Sequence, residues 1–139
     1  MSQALFIGID LGTSGCRAIA IDDDGQPIAQ ANTTMPAPIR DGNRVEQHAN
    51  IWWQAVQETM HDLFSQIQVK SVKSMAVDGT SGSLLLTNDV GQPIAPALMY
   101  NDGRSQNAAL AIDKIAPRES AAHGPTSALA QLLHMQPGA

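Results

Sequence analysis

The stretch LFIGIDLGTSGCRAIAID, residues 5–22, decides the fold of this 139-residue chain. It contains two short apolar runs, separated by a turn of glycine, threonine and serine. Runs of this length around a glycine-bearing turn predict a β-hairpin buried in a sheet. A third, weakly alternating run at residues 27–34 extends the hairpin to an antiparallel meander, which the following prolines end because proline removes ladder donors.

The turn between the first two runs has the composition of an anion site. Asp10 ends the first run, and Gly12, Thr13 and Ser14 follow. Glycine lets the backbone approach an anion closely, and successive amides in a tight turn can cradle a phosphate. Asp10 cannot bind a phosphate directly, but it can hold Mg²⁺ through water. The turn therefore indicates either a metal–nucleotide site or an ordinary polar hairpin, and its composition leaves both open.

Length, charge and cysteine content limit the class of protein. The chain is long enough for a hydrophobic core, and its net charge of −5 without a basic cluster argues against nucleic-acid and membrane-surface partners. No apolar run approaches the ~20 residues that span a bilayer, and no signal peptide begins the chain, so we expect a cytoplasmic protein. Cys16 is the one cysteine and cannot form an internal disulfide; we expect a small core residue.

The clearest helix is predicted over residues 49–67, with His48 or, better, Asn50 as its N-cap. Core packing is favoured over ligand stacking for its two tryptophans. The predicted apolar face consists of Trp52, Trp53, Val56, Met60, Leu63, Phe64 and Ile67.

The second half of the chain repeats the opening pattern of strand, carboxylate, polar turn and strand. Strands are predicted at residues 69–77 and 83–87, around the turn Asp78-Gly79-Thr80-Ser81-Gly82. A polar loop is predicted at residues 39–47 and an extended segment at 94–99. Helices are predicted at residues 106–115 and 127–135, and no linker composition divides the chain into two domains.

Metal sites other than the one at Asp10 are disfavoured. The acidic turn at residues 22–25 lacks the ligand spacing of a calcium loop, so a solvated turn is predicted. The histidines have no metal-ligand spacing and are predicted to be structural or surface residues. They are His48, His61, His123 and His134.

Four stretches, in order, resemble the FGGY family of carbohydrate kinases. GIDLGTSG, residues 8–15, resembles the first phosphate motif of the sugar kinase–Hsp70–actin superfamily. VEQHANIWW, residues 45–53, resembles V-E-Q-D-P-x-x-W-W, with His48-Ala49 replacing Asp-Pro. Residues 76–86 resemble the sugar-binding loop, and LMYNDGRS, residues 98–105, resembles L-W-N-D-x-R-S. The residues of the last two stretches are most similar to those of the ribulokinase-like and xylulokinase-like branches.

The resemblance implies an α/β fold, a partial ribonuclease H-like domain of the actin-like ATPase superfamily. Its mixed sheet would contain an antiparallel meander of the first three strands, with flanking helices. Residues 1–139 would form the N-terminal portion of domain I, without the second half of domain I and without domain II. The implied reaction transfers the γ-phosphoryl group of Mg-ATP to a sugar hydroxyl, with a pentulose such as ribulose or xylulose as substrate.

The resemblance also implies roles for particular residues. The phosphate and its Mg²⁺ would be faced by Asp10, Gly12, Thr13 and Ser14, with Mg²⁺ held by Asp10 through water; Arg17 would either add charge there or pair along its strand. Sugar hydroxyls would be bound by Thr80, Ser81, Tyr100 and Asp102. Asn101 and Arg104 are more simply explained as caps of the following helix.

The family's catalytic base lies further along than Ala139, so the resemblance implies that this chain alone is inactive. We also expect self-association, as a homodimer or through apolar surface and an open sheet edge. Two alternatives compete with the kinase interpretation. One is an Hsp70-like ATPase fragment, which the E-Q-x-x-x-x-W-W and Y-N-D-G-R segments oppose. The other is a non-catalytic sugar-sensing or assembly module with the same fold.

Overall fold

The computed structural model describes residues 3–136. The strands are β1 (Leu5–Leu11), β2 (Gly15–Ile21), β3 (Pro27–Thr34), β4 (Ile39–Asp41), β5 (Arg44–Gln47), β6 (Val72–Gly79) and β7 (Ala97–Leu98). The helices are α1 (Ala49–Gln66), α2 (Gln106–Ile112) and α3 (Ala128–Met135), and a short 3-10 helix spans Val69–Ser71.

The chain folds into two compact units that alternate along the sequence. The first unit runs up to Ala37 and resumes over Asn50–Thr80, and the second comprises Pro38–Ala49 and the residues from Ser81 onward. The chain passes between them at a proline-rich segment, at the start of α1 and in a glycine-bearing turn. These crossing points are short pieces of turn or helix, so no long linker separates the two units in the sequence.

The first unit is built on a four-stranded mixed sheet with the order β3-β2-β1-β6. The first three strands form the predicted antiparallel meander, and β6 pairs with β1 in parallel. The prediction of an α/β fold with a mixed sheet is therefore confirmed. Among the described strands β6 has a neighbour on one side only, and its Met75 and Val77 are exposed. The predicted self-association through such an edge stays a prediction.

The core of the first unit lies between one face of the sheet and α1. Small residues, Cys16, Ala18 and Ala20, line the β2 side and let the helix approach closely. Cys16 is fully buried, so its predicted core role is confirmed. The helix contributes a buried row at four-residue spacing, Ala55, Thr59 and Leu63.

Two predictions for α1 are wrong. Trp53 is 63% exposed because it lies outside the row of buried residues, whereas Trp52 packs against the core. Asn50 is not the N-cap, because α1 begins at Ala49 and His48 precedes it.

The second unit contains a three-stranded sheet with the order β4-β5-β7. Residues 39–47 form a β-hairpin and not the predicted polar loop. A Gly42-Asn43 turn, with Gly42 at φ +56°, connects its strands. The helix prediction at residues 106–115 is too long, since α2 ends at Ile112. The α3 prediction is confirmed, with Ser127 as its N-cap accepting the Ala130 amide at 3.2 Å.

The predicted strand at residues 83–87 is absent from the described fold. This segment makes isolated pairs with two different neighbours, Leu84 with Leu98 and Thr87 with Pro93, so no ladder forms. The predicted extended segment at 94–99 is reduced to β7 because Pro93 and Pro96 cannot donate to a ladder.

The acidic turn after β2 is organised by its first carboxylate. Asp22 is buried, and its Oδ1 accepts the amides of Asp24 and Gln26 at 3.0 and 2.8 Å. Within residues 3–136 no three His, Cys, Asp or Glu side chains are grouped to hold a metal ion. In the same range no helix has the length and apolarity to cross a membrane.

His123 bridges two residues of the segment between α2 and α3, and this pair of contacts is here named the His123 clasp. We expect the ring to titrate above the usual histidine pKa of about 6.5. Its Nδ1 lies 2.6 Å from the Asp113 carboxylate and its Nε2 lies 2.8 Å from the Pro117 carbonyl oxygen. These acceptors, the carboxylate first, raise the pKa of His123 because they favour the doubly protonated ring. The clasp is therefore present below the unfolded-state pKa and is lost as pH rises through the folded-state value.

NMR titration of the His123 ring measures this pKa directly. Asp113→Asn should lower it, and Asp89→Asn, which removes an exposed acid elsewhere in the second unit, should leave it unchanged. A wild-type His123 that titrates at or below the usual value would contradict the clasp.

Candidate functional site

The turn between β1 and β2 is shaped as an anion cradle. It is closed by a hydrogen bond from the Gly12 amide to the Gly15 carbonyl oxygen, 3.0 Å. Gly15 must be small, because a Cβ there would lie 2.6 Å from the Thr33 carbonyl oxygen. Within residues 3–136 the amides of Thr13 and Ser14 donate to no other group. These two amides and two hydroxyls can therefore bind an anion without breaking an internal bond.

The turn after β6 lies beside this cradle. Asp10 and Asp78 are opposite each other in the parallel pairing of β1 and β6, so both carboxylates project from the same face of the sheet. The Thr80 amide donates to the Leu11 carbonyl oxygen at 3.2 Å, and the Thr80 hydroxyl lies 3.4 Å from that of Thr13. The two similar turns of the sequence thus form one polar surface in the first unit.

Arg17 pairs with Asp10 across this face. Its guanidinium donates to the Asp10 carboxylate at 3.2 Å, and both side chains are more than half exposed. Exposed pairs of this kind contribute only ~0–1 kcal/mol, so Arg17 can leave Asp10 at little cost. Asp10, Arg17, Asn32 and Asp78 help to line a cavity of about 490 Å³ on the sheet face away from α1.

In the second unit the structure brings Tyr100 against the loop at residues 81–84. The Tyr100 amide donates to the Ser83 hydroxyl at 3.2 Å. Gly82 has φ +82°, a conformation that favours glycine, and a Cβ on it would lie at van der Waals contact, 3.4 Å, from the Tyr100 Cβ. Ser81 is exposed, and Tyr100 is 45% exposed, so both are accessible to a ligand.

Asp102 does not have the exposure that its predicted sugar contact requires. The residue is fully buried, its Oδ2 accepts the Val45 amide at 2.7 Å, and both of its oxygens accept from Arg104 Nε at 3.0–3.1 Å. The guanidinium of Arg104 also reaches Glu46 at 3.1 Å, and Arg44 donates to the same Glu46 carboxylate. The prediction that Asp102 binds sugar directly is therefore corrected, because both of its carboxylate oxygens already accept hydrogen bonds inside the fold.

This cluster depresses the pKa of both carboxyls. Burial alone would raise the pKa of Asp102, yet the Arg104 guanidinium and the amides of Val45 and Arg104 outweigh burial and hold it below the usual range. For Glu46 the hydrogen bond from Arg44 is the main cause of a lowered pKa. Both groups are therefore ionised at neutral pH.

The suggested capping role of Arg104 is also wrong. Ser105 occupies the N-cap position of α2, without a side-chain capping bond, and Arg104 is committed to the carboxylate cluster.

Sequence reasoning missed two residues of this unit. Glu46 lies within the VEQ segment, whose pattern does not indicate that it pairs with Arg44 and Arg104. Gln131 on α3 is fully buried and donates from Nε2 to the Met99 carbonyl oxygen at 2.9 Å. The sequence signal for Gln131 is a polar side chain within the apolar run of α3, directly after the buried Ala130.

The model of the FGGY family of carbohydrate kinases, N-terminal domain, matches residues 5–129. The chain belongs to the FGGY family. This FGGY chain is 32% identical over 104 residues to a xylulose kinase of Escherichia coli, covering 72% of the chain and 21% of that relative. A xylulose kinase of Klebsiella pneumoniae is 31% identical over 116 residues, covering 80% and 23%. The FGGY chain thus spans about a fifth of the length of these curated relatives.

The fold of this FGGY chain matches solved kinase structures. A xyloylose kinase from Brucella ovis superposes with a TM-score of 0.83 at 21% identity, covering 94% of this chain and 28% of that one. The match confirms the actin-like ATPase fold, and the named relatives support the xylulokinase-like branch. Family membership removes the Hsp70-like alternative.

Proposed function

We propose that this chain is the N-terminal portion of the first domain of a cytoplasmic, ATP-dependent pentulose kinase, with xylulose or ribulose as substrate. The observation that carries the proposal is the cradle of free Thr13 and Ser14 amides next to Asp10, in a chain of the FGGY family. The names of the curated relatives, xylulose kinases, favour a pentulose.

The residues present fit Mg-ATP. A phosphate suits two free amides and two hydroxyls, while the neighbouring carboxylates Asp10 and Asp78 would repel it unless a cation lay between. Mg²⁺ prefers oxygen ligands and keeps several waters, so Asp10 would hold it through water. When bound, Mg-ATP supplies the transferable phosphoryl group and the positive charge that offsets its negative charge.

Each residue of the chain then has a defined task. Gly12 lets the backbone approach the phosphate, and the amides of Thr13 and Ser14 donate to it. Arg17 leaves Asp10 and adds a positive charge to the phosphate. Thr80, Ser81 and Tyr100 donate to or accept from sugar hydroxyls. These groups orient the phosphate and the sugar, which is the main contribution of a protein to phosphoryl transfer.

The base that accepts the proton of the attacking hydroxyl is, in this proposal, supplied from outside these residues. The 139-residue chain should therefore release no ADP and form no sugar phosphate by itself. Asp10 is assigned to Mg²⁺ in this proposal, and neither Asp10 nor Asp78 is proposed as that base.

The test is a substrate panel on the full-length protein that contains this chain. Xylulose, ribulose, glycerol and gluconate are each supplied with Mg-ATP, and phosphorylated sugar is detected by mass spectrometry. The proposal expects a pentulose to be phosphorylated with the highest kcat/KM, and the 139-residue chain serves as the inactive control. Phosphorylation of glycerol or gluconate alone, or of no sugar, would contradict the proposal.

A further inference from the structure

The residues around Tyr100 form a tightly held backbone segment. Within residues 99–105, here named the Tyr100 loop, the Met99 amide donates to the Val45 carbonyl oxygen at 2.9 Å and the Gly103 amide donates to that of Asn43 at 2.8 Å. The Asp102 amide closes the loop by donating to the Met99 carbonyl oxygen at 2.9 Å. The loop is therefore fastened to the β4–β5 hairpin on both sides of Tyr100.

Charged side chains also connect the Tyr100 loop to the β4–β5 hairpin. Asp102 accepts the Val45 amide, and Arg104 bridges Asp102 and Glu46. Met99, Asp102 and Ser105 are buried, whereas Tyr100 is 45% exposed. These hydrogen bonds and ion pairs thus fix the buried residues of the loop, while the Tyr100 side chain remains partly exposed.

Gln131 provides a further contact to the loop from another element. It comes from α3, is fully buried, and donates from Nε2 to the Met99 carbonyl oxygen next to Tyr100. Its Oε1 is buried without a hydrogen-bond partner among the described residues. Leucine would fill this place without leaving a polar atom unpaired, so packing does not account for an amide here. The bond to Met99 does account for it.

We propose that Gln131, together with Asp102 and Arg104, positions Tyr100 for the sugar without touching the sugar. The three side chains fix the backbone before and after Tyr100, so the place of its ring is set by groups in the interior of the second unit. This inference rests on the proposed function, because it assumes that Tyr100 contacts a pentulose. It gives Asp102 a positioning role in place of the predicted direct contact.

The test compares Gln131→Met with Gln106→Met in the full-length protein. Methionine matches the size of glutamine and removes the amide, and Gln106 is an exposed residue at the start of α2. Gln131→Met should raise KM for the pentulose about tenfold, with kcat and KM for Mg-ATP within about twofold, because a misplaced contact weakens sugar binding alone. Amide hydrogen exchange at Asp102 should become faster. Gln106→Met should change none of these quantities.

Arg104→Lys provides a milder second variant, which keeps the charge but loses the fork that joins Asp102 to Glu46. It should raise KM for the pentulose in the same selective way. Unchanged exchange at Asp102 in Gln131→Met would show that Gln131 does not hold the loop. Unchanged KM for the pentulose, or equal rises in both KM values, would overturn the positioning role. If the unmodified protein phosphorylates no pentulose, the proposed function fails and the sugar role fails with it, while the exchange result still decides whether Gln131 holds the loop.

Discussion

Asp10→Asn should lower kcat of the full-length protein by about 10²–10³-fold, the usual loss when one preorganised electrostatic contact to the reacting group is removed. The carboxylate lies at the end of β1, beside the phosphate cradle, and is the residue proposed to hold Mg²⁺ through water. We expect a lower kcat and a higher Mg²⁺ concentration for the half-maximal rate. The KM for the sugar should stay within about twofold of the wild-type value, because the sugar contacts are unchanged.

Asp78→Asn is the matched control for this change. Asp78 lies opposite Asp10 on β6, faces the same side of the sheet and loses the same charge. Steady-state kinetics over a range of Mg²⁺ concentrations should give a loss of less than about tenfold for this variant, since Asp78 is assigned no contact with Mg²⁺ and exposed charge pairs contribute at most about 1 kcal/mol. Equal losses in both variants would mean that the local charge matters and that Asp10 has no special part.

Asp102→Ala should destabilise the chain by about 3 kcal/mol at neutral pH, because it removes one partner of a buried ion pair and leaves the Val45 amide without its acceptor. Glu46 remains as a partner of Arg104, which keeps the loss below that of a fully isolated charge. Urea unfolding of the chain measures the free energy of unfolding. Asp102→Asn, which keeps an oxygen for the Val45 amide, should lose roughly half as much.

The loss should also depend on pH in a defined direction. The folded-state pKa of Asp102 is depressed, so its contribution is present above the unfolded-state pKa, about 3.9, and is lost as pH falls through the folded value. The difference between wild type and Asp102→Ala should therefore be full at pH 7 and should decrease as pH falls below the unfolded-state pKa. A difference independent of pH would contradict the ionised cluster.

Local patterns were enough to predict the meander and the extent of α1. The meander and α1 depend on alternation, helical spacing and turn residues that lie next to one another in the sequence, and these predictions are confirmed. The β4–β5 hairpin was missed although its glycine-bearing turn, Gly42-Asn43, was visible, because the surrounding residues are polar and lack alternation. The supposed strand at residues 83–87 failed because strand formation needs a partner ladder, which the local sequence does not reveal.

The candidate site shows the same limit. Each polar turn was recognised from its own residues, but the parallel pairing that sets Asp10 beside Asp78 depends on strands more than sixty residues apart. Asp102 was predicted to bind sugar because a carboxylate suits hydroxyls, while its acceptor sites are filled by Arg104 and by Val45, 57 residues away. Distant backbone amides leave no mark on the sequence around a carboxylate, so such a burial cannot be predicted from the motif alone.

The most direct measurement is a crystal structure of the full-length protein with Mg²⁺, a non-hydrolysable ATP analogue and a pentulose. The account predicts the γ-phosphate within hydrogen-bond distance, about 3 Å, of the Thr13 and Ser14 amides, with Mg²⁺-bound water on Asp10. It also predicts a sugar hydroxyl against Tyr100 and no sugar contact by Asp102. A γ-phosphate bound away from residues 12–14 would contradict the proposed site.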